Sequence, residues 1–320
     1  EKELAEPAGR ALGSIITKMI KNGGFPAIVY RTLYECCVCS ISDYAGEVWG
    51  NHEYDNTKKL HNRAIRAYLG VPKATPIVGL LLEMNWPDPR TRTQIRMVRQ
   101  YHRIEKMEDS RLTKKILKWD IKLSSERNIP TWSSDVKDIF ARNNKLSSYE
   151  NVQQYNIKDL CKSMMASLNT KSQTKLGHES LHLPKLRTYI NLVYPGENKA
   201  YIHKPLTFIQ RKSLAKLRLG VLALRIETGR YETPKLPEEQ RICLICGQNR
   251  VENEVHFLIH CPVYDEKRTE LFNSIERLDF PNMTDIQKIH YLTSDEYMVK
   301  KTAQFIVDSW NIRSKIKNRL

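Results

Sequence analysis

Residues 241–264, RICLICGQNRVENEVHFLIHCPVY, hold three of the seven cysteines and two of the nine histidines, and no other stretch is so constrained. Cys243-x2-Cys246 sets two thiols on a tight turn, Gly247 permits the reversal, and His256-x4-Cys261 returns two more donors after a nine-residue excursion. Four soft donors suit a tetrahedral zinc ion, and a site that fills all four positions with protein leaves none for a reacting water. One structural zinc per chain, held by Cys243, Cys246, His256 and Cys261, is therefore expected. Otherwise these are core cysteines and incidental histidines of an amphipathic helix. A disulfide framework is a weaker reading, because Cys36, Cys37, Cys39 and Cys161 lie in helical contexts without a framework-like pattern.

His260 competes for the fourth position, since His256 and His260 stand four apart and could share one helix face, as in HExxH metalloproteases. Here the stretch reads HFLIH, and Phe257 occupies the place of the glutamate base. Cys261 is the stronger anionic ligand, and Pro262 biases it away from helical geometry so that its sulfur can swing inward. Cys261 is taken as the fourth ligand and His260 as a neighbour of the site or a surface residue.

The remainder reads as helix. Apolar positions recur at helical spacing over 8–21 before the NGG stop at 22–24, and a further apolar stretch runs from Pro26 to Trp49 as a buried helix. Residues 55–69 form a third helix ended by Gly70 and Pro72, and TPIVGLLLEMNW is too apolar to be exposed. Asp88-Pro89 opens a long helix on which Arg92, Arg96, Arg99 and Arg103, at steps of four, three and four, make one stripe. In 207–220, Ile209, Leu214 and Leu217 point inward and Arg211, Lys212, Lys216 and Arg218 outward. RNIPTWSSDVKD, NTKSQTK and VYPGENK read as loops, with a helix near Asn156 to Ala166. DEKRTELFNSIERL and the C-terminal stretch are helical, the latter opened by a Thr293-x-x-Glu296 capping box and ended by a basic tail.

Charge points to a partner. Lysine and arginine exceed aspartate and glutamate by 52 to 36, a net +16, which favours a polyanion: nucleic acid first, then acidic membranes or proteins. Four like charges on one stripe repel unless something neutralises them, so phosphate is the expected neighbour of the arginine stripe and of the 211–218 cluster, with acids elsewhere in the fold as the alternative. No apolar run reaches the ~20 residues of a membrane span, and no membrane partner is expected. The chain opens on EKELAEPAGR without Met or signal peptide, reading as a fragment or processed product, and reduced cysteines place it in nucleus or cytoplasm.

DYAGEVWG, LHNRAIRAYLGVPKATPIVGLLLEMNW and the helix after Asp88-Pro89 resemble the region that follows the palm in non-LTR (LINE-type) retrotransposon reverse transcriptases. KLRLGVLALRIETGR followed by ICLICG and VENEVHFLIHCPVY resembles their C-terminal CCHC zinc knuckle. The likeness covers roughly residues 8–120 and 185–275. It implies an all-α chain: a thumb/connector-like helical domain over 1–120, a poorly defined helical and loop linker over 121–200, and basic helices, knuckle (241–264) and C-terminal helices over 201–320. It also implies gripping of template RNA or target DNA, with the upstream palm of a parent polypeptide as a further partner. The family's Tyr-x-Asp-Asp turn is missing, the sequence has no Asp-Asp pair, and no endonuclease cluster is visible. The expected function is a non-catalytic nucleic-acid-binding segment. The alternative is a zinc-stabilised helical protein-interaction module derived from a retroelement, and an enzyme such as a nuclease is the least supported reading.

Overall fold

The computed structural model describes residues 2–192 and 200–317. The fold is all-α: among the described residues the only β pairing is one antiparallel bridge, Ile242 with Val251. The helices used below are α1 (Lys2–Lys21), α2 (Asp55–Leu69), α3 (Ile77–Met84), α4 (Pro89–Glu105), α5 (Leu112–Arg127), α6 (Trp132–Arg142), α7 (Ile157–Ser180), α8 (Phe208–Arg218), α9 (Asp265–Phe272), α10 (Asp285–Ser294) and α11 (Met298–Lys317). None of the described helices is long and apolar enough to cross a membrane.

The chain divides into two units, neither continuous in sequence. One comprises Glu1–Ala11, Glu35–His61 and Asn85–Lys175; the other comprises Leu12–Tyr34, Asn62–Met84 and Leu176–Leu320. The segments expected from sequence, 1–120, 121–200 and 201–320, are each continuous, whereas each of these units is assembled from three stretches of chain. A linear reading finds only consecutive boundaries, whereas packing gathers segments separated by long stretches of chain.

In the first unit α4 is central. Asp88 caps it by accepting from the Arg90 N–H at 2.8 Å, as the Asp-Pro pair predicts. Its inner face carries Ile95, Val98, Tyr101 and Ile104 into a core shared with Leu117 of α5, Phe140 of α6 and Met164 of α7, and Tyr101 stacks on Tyr149 at 4.8 Å. The stretch Pro26 to Trp49 is not one buried helix. It breaks into Ala27–Leu33, a π-helical turn Tyr34–Cys39, Ser40–Ser42 and Gly46–Trp49, with Ala45 left-handed at φ 53° and Cys36 and Cys37 exposed. The break serves packing against α4. A Cβ on Gly46 or Gly50 would stand 2.9 or 2.7 Å from Thr93, so the two glycines permit a backbone approach that larger residues forbid.

Two stretches read as loops are helical. Thr131 and Ser134 form a capping box that starts α6 inside RNIPTWSSDVKD, and NTKSQTK lies within α7. VYPGENK lies outside the described residues. The predicted Thr293 box is not a cap, because Thr293 is buried in α10 and donates to the Ile289 carbonyl; Asp295 accepts from the Tyr297 and Met298 N–H groups instead.

His61 of α2 is buried in the first unit with the Trp86 ring 5.9 Å away, and burial, aided by the Arg92 charge, lowers its pKa to about 3. An unfolded imidazole takes up its proton near pH 6.5, so the unfolded chain binds more protons between pH 6.5 and about 3. Stability is full above that window and falls as the pH drops through it, by up to about 1.4 kcal/mol per pH unit from this group. Urea unfolding across pH 4 to 7 should show this slope, and His61→Leu should flatten it.

In the second unit, Gly23 (φ 71°) and Gly24 (φ 123°) end α1 as NGG predicts, and the Gly23 carbonyl accepts from the Phe208 N–H at 2.8 Å. α8 is capped by the Thr207–Gln210 box, yet its faces are rotated relative to the prediction. Ile209 is exposed, while Arg211, Leu214, Ala215 and Arg218, spaced as one helical stripe, point inward. Arg211 and Arg218 are each 2% exposed. Periodicity assigns a guanidinium to solvent by default; here buried acceptors hold both.

Candidate metal centre

The knuckle is built on the single β bridge. Cys243 N–H donates to the Arg250 carbonyl at 2.8 Å and Glu252 N–H to the Arg241 carbonyl at 2.9 Å, which brings the two arms of the turn together. Gly247 (φ 67°) and Asn249 (φ 53°) reverse the chain in left-handed conformations, as the sequence reading of Gly247 requires.

The second pair of donors comes from a π turn, His256–His260, begun by the Asn253 side chain, which accepts from the His256 N–H at 2.8 Å. The Cys261 N–H closes the turn on the His256 carbonyl at 2.7 Å, an i to i+5 bond. Around this turn it is Cys261, and not His260, whose donor atom joins those of Cys243, Cys246 and His256. Cys261 then leaves the turn extended (ψ 118°), as its place before Pro262 favours. His260 faces away, with Nε2 2.7 Å from Asp285 Oδ2.

The donor atoms of Cys243, Cys246, His256 and Cys261 all lie within 4.8 Å of one another, and Cys246 Sγ is 3.5 Å from His256 Nε2. Metal–sulfur and metal–nitrogen bonds of ordinary zinc length imply edges of about 3.6 to 3.8 Å in a tetrahedron. The four side chains could hold a metal ion with little movement. Cys243, His256 and Cys261 are buried, and Cys246 is half-buried. Cys243 is pushed up to about 12 by its hydrogen bond with Cys261 and by burial, Cys246 is raised by burial, and the same Cys243 contact lowers Cys261. Three thiols sharing so little space cannot all ionise without a cation. His256 presents Nε2 to the sulfurs, and its buried Nδ1 has no hydrogen-bond partner.

Three buried groups frame the donors. Glu252 lies 3.5 Å from Cys243 Sγ, accepts from the Arg225 N–H at 2.7 Å and pairs with Arg313 of α11 at 2.8 Å. Glu254 accepts from Arg187 and the Thr188 hydroxyl, each at 2.8 Å. Arg268 of α9 donates to the Leu258 carbonyl at 3.0 Å and the Cys261 carbonyl at 2.6 Å, fixing the segment that carries the third sulfur. The sequence reading missed all three. Asn253 three residues before His256 is a legible cap, whereas acids and arginines 60 residues apart carry no local signal. Phe257 and Tyr264 are buried against each other at 5.0 Å, with Phe257 also against Phe305 and Trp310, so neither presents a face for stacking on a base. They are packing residues.

The eight predicted phosphate contacts separate into surface and interior. On α4, Arg99 and Arg103 are exposed, but Arg92 donates to the buried Asp43 carboxylate at 3.0 Å and Arg96 to the Asp43 carbonyl at 2.7 Å. On α8, Lys212 and Lys216 are half-buried, and burial together with Lys212 lowers the pKa of Lys216. Arg211 lies 4.0 Å over the Tyr68 ring and donates to the Tyr68 carbonyl at 2.9 Å and the Phe25 carbonyl at 3.3 Å. It thereby supplies a cation at the C-terminal end of α2. Arg218 donates to Glu83 at 2.7 Å and to the Thr293 carbonyl at 3.1 Å. Arg211 and Arg218 are therefore withdrawn from the proposed nucleic-acid-binding set, since a phosphate cannot reach them.

Searches against protein-family profiles, curated proteins and solved structures found no match to this chain.

Proposed function

We propose that the chain is a non-catalytic nucleic-acid-binding segment, related to the post-palm region of LINE-type reverse transcriptases, whose knuckle holds one structural zinc ion. Three cysteines and one histidine match zinc's preference for sulfur and imidazole, and the close spacing of their donor atoms supports a closed site. Bound there, zinc would join the two arms of the knuckle. Its four protein ligands would leave no position for a water.

The observation that carries the binding proposal is where the charge lies. Six cations (Lys114, Arg211, Arg218, Arg241, Arg268, Arg313) and five anions (Asp43, Glu83, Glu227, Glu252, Glu254) are buried among the described residues. Internal pairing therefore absorbs almost none of the +16 excess, which is left to partly or fully accessible positions. RNA or DNA backbone is the polyanion that such a surface suits, and Arg99, Arg103, Lys212 and Lys216 are the contacts retained from the sequence. A second reading, a zinc-stabilised protein-interaction module, is favoured by one observation: Arg92 and Arg96 are held by Asp43 and so take little part in any surface.

A salt titration of RNA and DNA affinity separates the two. Each phosphate contact contributes about 0.7 to 0.9 to the slope of log affinity against log salt, so Arg99→Ala with Arg103→Ala should flatten it by roughly 1.4 to 1.8. The loss should be similar for unrelated sequences, because phosphate contacts position without specifying. Unchanged slope and affinity would remove α4 from the binding surface, and absence of any salt-dependent binding would leave the interaction module.

A further inference from the structure

α5 is apolar on two opposite faces. Leu117 enters the core of its unit and Lys114 is buried beside it, donating to Glu105. On the far side Leu112, Ile116 and Trp119 are 72%, 53% and 62% exposed, and Leu123, half-buried, continues the line. The steps of four, three and four place these side chains within one narrow arc of the helix. This short, narrow seam, bounded in the same register by Asp109 and Glu126, is narrower than the broad stripe that docks a helix on a core and has room for about three turns of one partner helix. Solvent-exposed apolar side chains lined up in this way mark an interaction surface. Lys115 and Lys122 border the seam along one edge, at the positions that face the charged flank of a partner helix in such a pairing; Lys122 stands 3.9 Å from the exposed Glu126, and Lys118, on the same side, pairs with Asp109 at 2.8 Å.

We infer that this face docks an amphipathic helix of another protein, with an apolar seam of the same four-three spacing and glutamate or aspartate along its flank. The lysine edge selects the sign of the flank, and the seam supplies the burial. A second copy of α5 fits poorly. Antiparallel pairing would set Lys115 and Lys122 against lysines, and parallel pairing would set Lys122 against Arg127, with Asp120 already accepting from the Ser133 N–H at 2.8 Å. Leu112 and Ile116 offer no flat surface for a base, which distinguishes the face from a stacking platform for nucleic acid. The seam shares no residue with the nucleic-acid contacts Arg99, Arg103, Lys212 and Lys216 or with residues 241–264, so its test does not depend on nucleic-acid binding.

The test uses the full chain and a labelled 21-residue synthetic helix with leucine at the two seam positions of each heptad and glutamate on both flanks. The glutamates also discourage the peptide from pairing with itself. Fluorescence anisotropy should show saturable binding, weakened about thirtyfold by Trp119→Ala, as expected for a central aromatic anchor. Lys115→Glu with Lys122→Glu should lose the glutamate peptide by about tenfold or more and gain a lysine-flanked version of it. Both variants change exposed side chains, and unchanged thermal melts would confirm their folding. Equal binding of the two peptides, or no binding of either, overturns the inference. So does a Trp119-dependent association with phosphatidylserine vesicles or with an oligonucleotide in place of the peptide.

Discussion

Cys246→Ser is expected to abolish stoichiometric metal binding and to unfold residues 241–264, while His260→Ala keeps both metal and fold. Metal coordination in small cysteine–histidine sites carries apparent local folding energies on the order of 10 kcal/mol, far above any other interaction in the knuckle. The bridge between Ile242 and Val251 and the π turn contribute few backbone bonds of their own, so a bound metal would tie the two arms together at the donor atoms. The readouts are metal content of the purified protein and proteolysis within the knuckle, with chelator-treated wild type as the reference. Loss of zinc in His260→Ala with retention in Cys261→Ser would assign the fourth ligand wrongly. Wild-type protein that neither carries zinc nor takes it up would remove the metal site altogether.

Glu83→Gln should destabilise the second unit by about 3 to 5 kcal/mol, the usual cost of leaving a buried cation without its partner. Arg218 is buried with Glu83 at 2.7 Å, the Tyr201 hydroxyl donates to the same carboxylate oxygen at 2.6 Å, and the Arg218 guanidinium lies 5.3 Å over the Tyr201 ring. Burial and the Glu83 charge push Tyr201 well above its ordinary range, so it stays a neutral donor. Replacing both ends, Glu83→Leu with Arg218→Met, removes both desolvated charges and should recover most of the loss. Urea unfolding of the three proteins decides the matter, and a single-variant cost under about 1 kcal/mol would show that solvent reaches the pair.

What the sequence determined on its own is local. Asp88, Thr207 and the NGG pair set helix ends because capping hydrogen bonds and left-handed glycines act within a few residues. The four candidate ligands could be named because a tight turn, a histidine and a cysteine before proline act over short spans. Tertiary structure alone decided which arginines face solvent. Arg211 and Arg99 look alike on a helical wheel; only distant acceptors, the Tyr68 and Phe25 carbonyls, draw Arg211 inside, and nothing in residues 207–220 announces them. Packing decided likewise that Pro26 to Trp49 must break, since the approach to Thr93 depends on a helix more than 40 residues away. The π turn is the intermediate case: its composition is local, but its winding answers to the core that buries Phe257 and to Arg268 on the carbonyls of Leu258 and Cys261. A side chain's hydrophobicity predicts its burial only when no partner elsewhere in the chain can satisfy its charge.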